Sequence, residues 1–559
     1  LQVNYRFEIP HLDTYMLFHV DFGIAMAIVS IIHLVWHWNY YVKIFKPSDS
    51  ADRNMTESPA TCKQMQFFDL GTALISLFFL GFHSLVVQTI YMREFLALFT
   101  GNELIIGIIM ALWMIFVGLG SFTAKRKVVS RNTMRLILLI LVLLPMLSFA
   151  GMNLLRYKFF VPGMEVNLLQ TAIYITIFQL PFCIVSGFLF PQLVMHIQKK
   201  KKQGAIGFSY GIETLGSVLA GAVLGFLLFT FTTNLNILII SFILGALLIV
   251  FQFIKLYEKV IFSLFVLVVS LVFITFPVDK QLKESLFINQ EILKLENSVY
   301  GEVVKTSHFE QVNIYENQNL VYSSGMEQKT EEAVHFTLIQ HDKPETVLII
   351  SPNIAQVMSE LSMYPTLKTV DFLETNQVLI EHQNQLLPDT VNFNYRIHQK
   401  DAIQYLTHNK LQYDAIIIQT PPPSTLNYNR YYTRNFYRLV MENLHPSGLM
   451  SASLPASMNY VNPALINLTG SIYYTIKQVF KEVLILPGTS LFLLASNARL
   501  SNEIITLLES VNMEADYVNP YYLDAFSMHQ QQEQILAEIK DIDLLNSLNN
   551  PNAFLYNVE

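Results

Sequence analysis

Two acids close strand-like runs in the second half of the chain. Glu374 ends "VDFLE", and Asp401 follows "NYRIHQK". In a parallel α/β sheet, a carboxylate at one strand end grips ribose hydroxyls, and a second at the next touches the base. The strand before them, "TVLII", runs into Ser351, Pro352 and Asn353, with no glycine at the turn. Glycines let backbone approach a ligand closely, and Pro352 also removes an amide donor. A loop that cradles phosphate or methionine is therefore not expected there.

The first half offers histidines and one acid. His19, His33 and His37 fall in "FHVDFGIAMAIVSIIHLVWHW", and His83 falls in "FFLGFHSLVV". His19 and His33 nearly share a helix face, about 21 Å apart along the axis. That spacing suits two stacked haems, one near each leaflet. His83 is the candidate second axial ligand to an outer haem held by His19. The plainer reading is that such histidines hydrogen-bond to neighbouring helices, with His37 between Trp36 and Trp38 at the interface. Glu213, in "YGIETLGSVLAG", is an acid inside an apolar stretch, a site hypothesis by default. Its plainer reading is a structural hydrogen bond, with Gly211, Gly216 and Gly221 allowing helices to approach closely.

These residues need elements to hold them. The 559 residues are 52% hydrophobic and 14% charged, with mean hydropathy +0.38. Such a chain is too apolar for an ordinary soluble protein. Its net charge of -7 gives no reason to expect a nucleic-acid partner. Two cysteines, Cys62 and Cys183, cannot build a disulfide framework. Apolar runs near the ~20 residues of a spanning helix fall at 16–38, 67–90, 103–123, 136–154, 168–195, 205–230, 235–255 and 259–277. The last two form one run interrupted by Lys255, Tyr257, Glu258 and Lys259, read as a turn between spans. Lys and Arg crowd the loops after spans one, three and five, and these loops are expected in the cytoplasm. An eighth span then puts everything from Asp279 onward outside the cytoplasm. That half alternates strands and helices, as a doubly wound sheet does. The expected architecture is a polytopic α-helical membrane domain of about eight spans followed by an α/β Rossmann-like domain. Its units are 1–45, 67–278 and 279–559.

Several spaced motifs carry a resemblance. "SVYGEVVKT", "VYSSGMEQKTEEAVHFTLIQHDKPETVLII", "VDFLETN", "DAIQYL", "YDAIIIQTPPPSTLNYNRYYTRNFY" and "LNNPNAFLY" together resemble the spermidine synthase family. "YMREFLALFTGNELIIGIIMALWMIFVGLGSF" and "YGIETLGSVLAG" are similar to motifs of its membrane-fused branch. The resemblance implies a spermidine-synthase-type domain that binds decarboxylated S-adenosylmethionine through a triple-glycine loop. Ser351, Pro352 and Asn353 stand at that loop, so S-adenosylmethionine binding is not expected. The resemblance makes Glu374 the ribose ligand and Asp401 the acid beside adenine, a vestigial pocket. The family's catalytic Asp follows the fourth strand, where this chain has Gln419 to Pro423 and no carboxylate. Gln and Pro do not take up protons near neutral pH. The 1–45 stretch resembles the second helix of small cytochrome-b-like membrane domains.

The expectation is a non-catalytic, multi-pass subunit of an inner-membrane assembly, with its C-terminal domain as a docking module. Its partners are the bilayer and other membrane subunits, cytochromes among them if haem b is bound at His19, His33 and His83. Two alternatives stay open: an active aminopropyltransferase-like enzyme, and a cation or polyamine transporter working past Glu213.

Overall fold

The computed structural model describes residues 70–99, 103–124, 128–160, 166, 168–199, 204–225, 232–252, 255–275, 278–298, 300–456, 463–511 and 515–558. The expected first span and the cytochrome-b-like unit, with His19, His33 and His37, lie outside the described residues. The first half is a helical bundle of α1 (Leu70–Leu98), α2 (Leu104–Thr123), α3 (Arg131–Phe159), α4 (Leu168–Gln198), α5 (Ala205–Val223), α6 (Asn234–Gln252) and α7 (Leu256–Thr275). The first six are long and apolar enough to cross a membrane. The α6 helix ends at Gln252 and α7 starts at Leu256, so Tyr257, Glu258 and Lys259, expected in a turn, lie within α7. The α6 helix ends with the Gln252 carbonyl accepting from Arg131 at 2.9 Å, at the start of α3. The α7 helix then leads back to α8 (Val278–Glu284), where Ser285 donates to the Asn153 carbonyl near the far end of α3 at 3.2 Å.

Helix limits differ from the apolar runs. The α1 helix continues to Leu98 instead of ending near residue 90, because Arg93 and Glu94 find buried partners and need no water. The α3 helix begins five residues early, at Arg131, capped by Ser130, whose side chain accepts from the Thr133 amide. Close helix contact is confined to particular glycines. A Cβ on Gly216 would overlap the Phe78 carbonyl, and one on Gly81 would overlap the Glu213 carbonyl. Ser217 donates to the Gly81 carbonyl at 3.0 Å across the same crossing. Gly120 and Gly187 play the same part between α2 and α4. Gly211, expected at such a contact, faces open space.

The second half opens with a four-stranded antiparallel sheet of β1 (Glu291–Ser298), β2 (Gly301–His308), β3 (Gln311–Glu316) and β4 (Asn319–Ser323). There follow α9 (Glu327–Leu338), β5 (Thr346–Ile350), α10 (Ile354–Leu361), β6 (Thr369–Glu374), α11 (Gln377–Asn384), β7 (Asn394–Gln399), α12 (Ala402–His408) and β8 (Tyr413–Ile418). Beyond them lie α13 (Leu426–Asn429), α14 (Arg434–Glu442), β9 (Leu444–Pro455), α15 (Pro463–Lys477), β10 (Glu482–Pro487) and β11 (Ser490–Ser496), then α16 (Ile504–Val511), α17 (Ala525–Ile539) and α18 (Asn552–Val558). The large sheet has the order β10-β11-β9-β8-β5-β6-β7. From β9 to β7 it is parallel, and β11 and β10 join antiparallel. Helices on both faces bury the central strands, so "VLII" and "AIII" read as unbroken apolar runs. The order reverses between β5 and β8. A crevice opens there, outside the carboxyl ends of the strands.

Candidate functional site

A cavity of about 310 Å³ occupies that crevice. Its floor is made by strand ends: Ser351 after β5, Glu374 at the end of β6, Lys400 after β7 and Thr420 after β8. The small sheet adds Glu302 and Glu316. The remaining wall is the helical bundle. Arg93 and Leu96 come from the last turns of α1, Glu103 from the start of α2, and Asn234 from the start of α6. The α/β domain therefore does not enclose this cavity alone.

Glu374 ends β6 and lines the cavity. One oxygen accepts from the Asn376 amide at 2.7 Å and from the Thr375 hydroxyl at 3.4 Å. Asn376 also donates its side-chain amide to Glu316 at 2.6 Å, so one asparagine ties both acids. Tyr428 donates to the other oxygen of Glu316 at 3.2 Å. Burial, reinforced by the nearby Glu316, pushes the Glu374 carboxyl up to about 7. Burial raises Glu316 as well, against the hydrogen bonds from Asn376 and Tyr428.

Asp401 follows β7 and opens α12. One carboxylate oxygen caps α12, accepting from the Gln404 amide at 3.1 Å. The other takes Arg430 at 2.6 Å and the Tyr431 hydroxyl at 3.0 Å. Its acceptors are spent on the protein, and Lys400, Ala402, Arg430 and Tyr431 line the cavity around it. The stretch after β5 is likewise self-bonded. Ser351 donates to Gln419 at 3.2 Å, and the Asn353 side chain donates to Thr330 and Gln356 at 3.1 and 2.9 Å. The turn after β8 is pinned by Tyr432, whose hydroxyl donates to the Thr420 and Pro421 carbonyls, each at 3.1 Å.

The bundle-side wall was not legible as a site. Glu94 on α1 and Glu302 on β2 both pair with Lys283 on α8, the latter pair at 3.0 Å. Arg93 bonds to Asn234 at 3.4 Å and to the Ser298 carbonyl at 3.0 Å. Glu103 accepts from the amides of Leu426 and Asn427 at 2.9 and 3.1 Å. Lys283 carried a signal of a kind: a lysine in a short helix beside a span needs buried acids if it packs inward. The sequence does not say which acids.

The histidine and glutamate candidates of the bundle stand apart from this cavity. His83 lies midway along α1, which extends to Leu98. Its Nδ1 lies 2.6 Å from the Ser241 hydroxyl and its Nε2 3.3 Å from the Leu141 carbonyl. Phe79 stacks on the ring and Phe182 meets it edge-on. Neither nitrogen is left for iron and the rings fill the space beside it, so haem ligation by His83 does not fit. Glu213 is half-buried on α5 and does not line the cavity; its backbone carbonyl packs on Gly81.

Fold and cavity define a Rossmann-like, spermidine-synthase-like domain behind a set of apolar helices. Residues 326–496 match the Spermine/spermidine synthase domain. A polyamine aminopropyltransferase of Oceanobacillus iheyensis is 24% identical over 269 residues, which are 46% of this chain and 51% of that protein. The Bacillus subtilis polyamine aminopropyltransferase is 22% identical over 200 residues, 34% of this chain and 70% of that one. Among solved structures, a spermidine synthase in complex with the transition-state analogue AdoDATO aligns at 17% identity and a TM-score of 0.38, covering 44% of this chain and 88% of the other. The Thermotoga maritima spermidine synthase aligns at 17% identity and 0.37, over 44% and 87%.

Proposed function

We propose that this chain is a membrane-embedded, ligand-binding relative of the aminopropyltransferases that does not itself transfer aminopropyl groups. The observation that carries this reading is the end of β8. Thr420 and Pro421 line the cavity there, and neither accepts a proton near neutral pH, so the attacking amine has no general base at that position. The self-bonded turn at Ser351 to Asn353 removes the close backbone approach a sulfonium ligand would need. Glu374 remains as a polar anchor for a ligand hydroxyl or amine. Full-length protein in detergent, given decarboxylated S-adenosylmethionine and putrescine, should form no spermidine above a protein-free control by mass spectrometry. Time-dependent spermidine that scales with protein concentration would overturn the reading.

We further place the α/β domain outside the cytoplasm, as the Lys and Arg distribution supports. The helix ends that touch that domain carry Arg93, Arg156 and Lys158. The opposite ends carry Arg131, Arg135, Lys199, Lys255 and Lys259, the sequence between α2 and α3 and between α4 and α5 adds Lys125 to Lys127 and Lys200 to Lys202, and cytoplasmic loops hold the excess of positive charge. In this arrangement α7 spans as well. A chain with Cys62→Ser, Cys183→Ala and Gln530→Cys on the exposed face of α17 should react with an impermeant maleimide in outer-permeabilised cells. Labelling that requires lysis of the inner membrane would reverse the orientation. An electron-transfer role now rests on His19 and His33 alone.

A further inference from the structure

A second cavity of about 440 Å³ lies on the other side of the Ser351–Pro352 turn. The two cavities share Asn319, Val321, Ser351, Pro352, Thr420 and Pro421 as a common partition. Their linings differ in charge. The first presents four carboxylates, Glu103, Glu302, Glu316 and Glu374, against three cations, Arg93, Lys400 and Arg430. In the second, Lys329 is the one charged side chain among the described lining residues, and no carboxylate accompanies it. Around it stand neutral donors and acceptors, including Thr330, Asn353, Gln419, Ser453 and Thr489.

The nearest acid is not available to balance that charge directly. Glu332, one turn along α9, gives one oxygen to the Thr489 amide and hydroxyl at 2.8 and 2.5 Å and the other to Gln328 at 3.1 Å. Lys329 is exposed, yet enough protein surrounds it that burial lowers its pKa, with Glu332 countering in part. Asn353 adds a second requirement. Its side chain is only 8% exposed, its amide nitrogen is bonded inward, and its Oδ1 has no partner. That oxygen is shielded as the side chain stands, and a buried amide oxygen without a donor is costly; with the side chain turned toward the cavity it lines, a ligand N–H or O–H would relieve it.

We propose that this second cavity binds a small oxyanion that also carries a hydrogen-bond donor, with the anionic group on Lys329 and the donor on Asn353. A polyamine is the wrong charge for it: an ammonium would meet Lys329 with no carboxylate between them. The inference does not depend on the orientation or the inactivity proposed above, since it concerns the other side of the partition.

Acetylation footprinting tests it on the full-length protein in detergent. The modification rate of Lys329 by a water-soluble acetyl ester is followed by mass spectrometry, with exposed Lys481 as internal reference. Phosphate and lactate are the two probes and putrescine the control. Saturable protection by either probe is expected, about tenfold at ten times its dissociation constant, with none from putrescine. Phosphate alone protecting would assign a phosphate-bearing ligand, and lactate alone a hydroxycarboxylate. Calorimetry on variants gives the second reading: K329R should keep probe binding and K329M should lose it. Protection by putrescine but by neither oxyanion would overturn the proposal. So would unaltered oxyanion binding by K329M.

Discussion

Replacing Lys283 by methionine should destabilise the protein by about 3–5 kcal/mol, the cost of leaving buried charges without their partner. Lys283 is 1% exposed, and its ammonium lies between Glu94 and Glu302, themselves 0% and 6% exposed. The Phe149 ring lies 5.7 Å from it. Those acids and Asp279 hold the ammonium above its ordinary pKa, against burial. Burial also pushes Glu302 up, with Glu94 and Asp279 adding to the rise while Lys283 opposes it. Three acids thus crowd one lysine, with Arg93 as the next cation. Methionine fits the volume but leaves the carboxylates facing each other. Thermal unfolding in detergent should show the loss, and limited proteolysis should cut first around residues 285–300. Adding Glu94→Gln and Glu302→Gln to the methionine variant should recover much of the stability, because a neutral network needs no counter-ion. A lone K283M change within about 0.5 kcal/mol of the parent, the range of an ordinary surface substitution, would refute the role given to the lysine.

That joint shows where sequence reading stops. Glu94, Lys283 and Glu302 meet at one point although 208 positions separate the first from the last. No local period or motif reports such a meeting. Local signals were readable. The runs "VLII" and "AIII" became the cores of β5 and β8 because a parallel strand covered on both faces is apolar there, while "VDFLE" became β6 with its buried Asp371 paired to Arg396 and His398. Glu374 was legible because the end of a strand fixes where its side chain emerges. Asp401 was legible only as an acid at the right place. Its second identity, an N-cap three residues before Gln404, is also a sequence pattern, and that pattern describes its environment better.

The bundle was readable as apolar runs but not at its edges. Arg93 and Glu94 follow the apolar run that ends at residue 90, yet α1 continues through them. A charged pair ends a span only when water is the best partner available. Here Asn234, Ser298 and Lys283 are better placed. The same packing makes the helix ends part of the cavity wall. A change in how the bundle sits against the small sheet would therefore alter the cavity through Arg93 and Glu302, which line it directly.

Glu374→Gln should make stability less sensitive to pH between about 4.5 and 7. The Glu374 carboxyl rises from an ordinary 4.5 to about 7 in the folded protein. Below 4.5 it is neutral whether folded or unfolded, and the group costs nothing. As pH climbs toward 7, the unfolded chain ionises while the folded chain resists, so stability falls. Above 7 both states are ionised and the loss is complete. Glutamine never ionises, so the variant should match the parent near pH 4 and exceed it by about 1–3 kcal/mol near pH 8. Glu374 faces the cavity, and water there holds the effect toward the lower end. Taking the difference between variant and parent melting curves removes the parallel contribution of Glu302, while the relief of Glu316, which is coupled to Glu374, adds to the same gain. A difference that is flat with pH, or that favours the parent at pH 8, would show that the cavity leaves this carboxyl unperturbed. A cationic ligand group seated beside Glu374 should reverse the trend, because it favours the ionised form that burial opposes. Repeating the pH series with putrescine present therefore reads occupancy of the acidic cavity without any turnover.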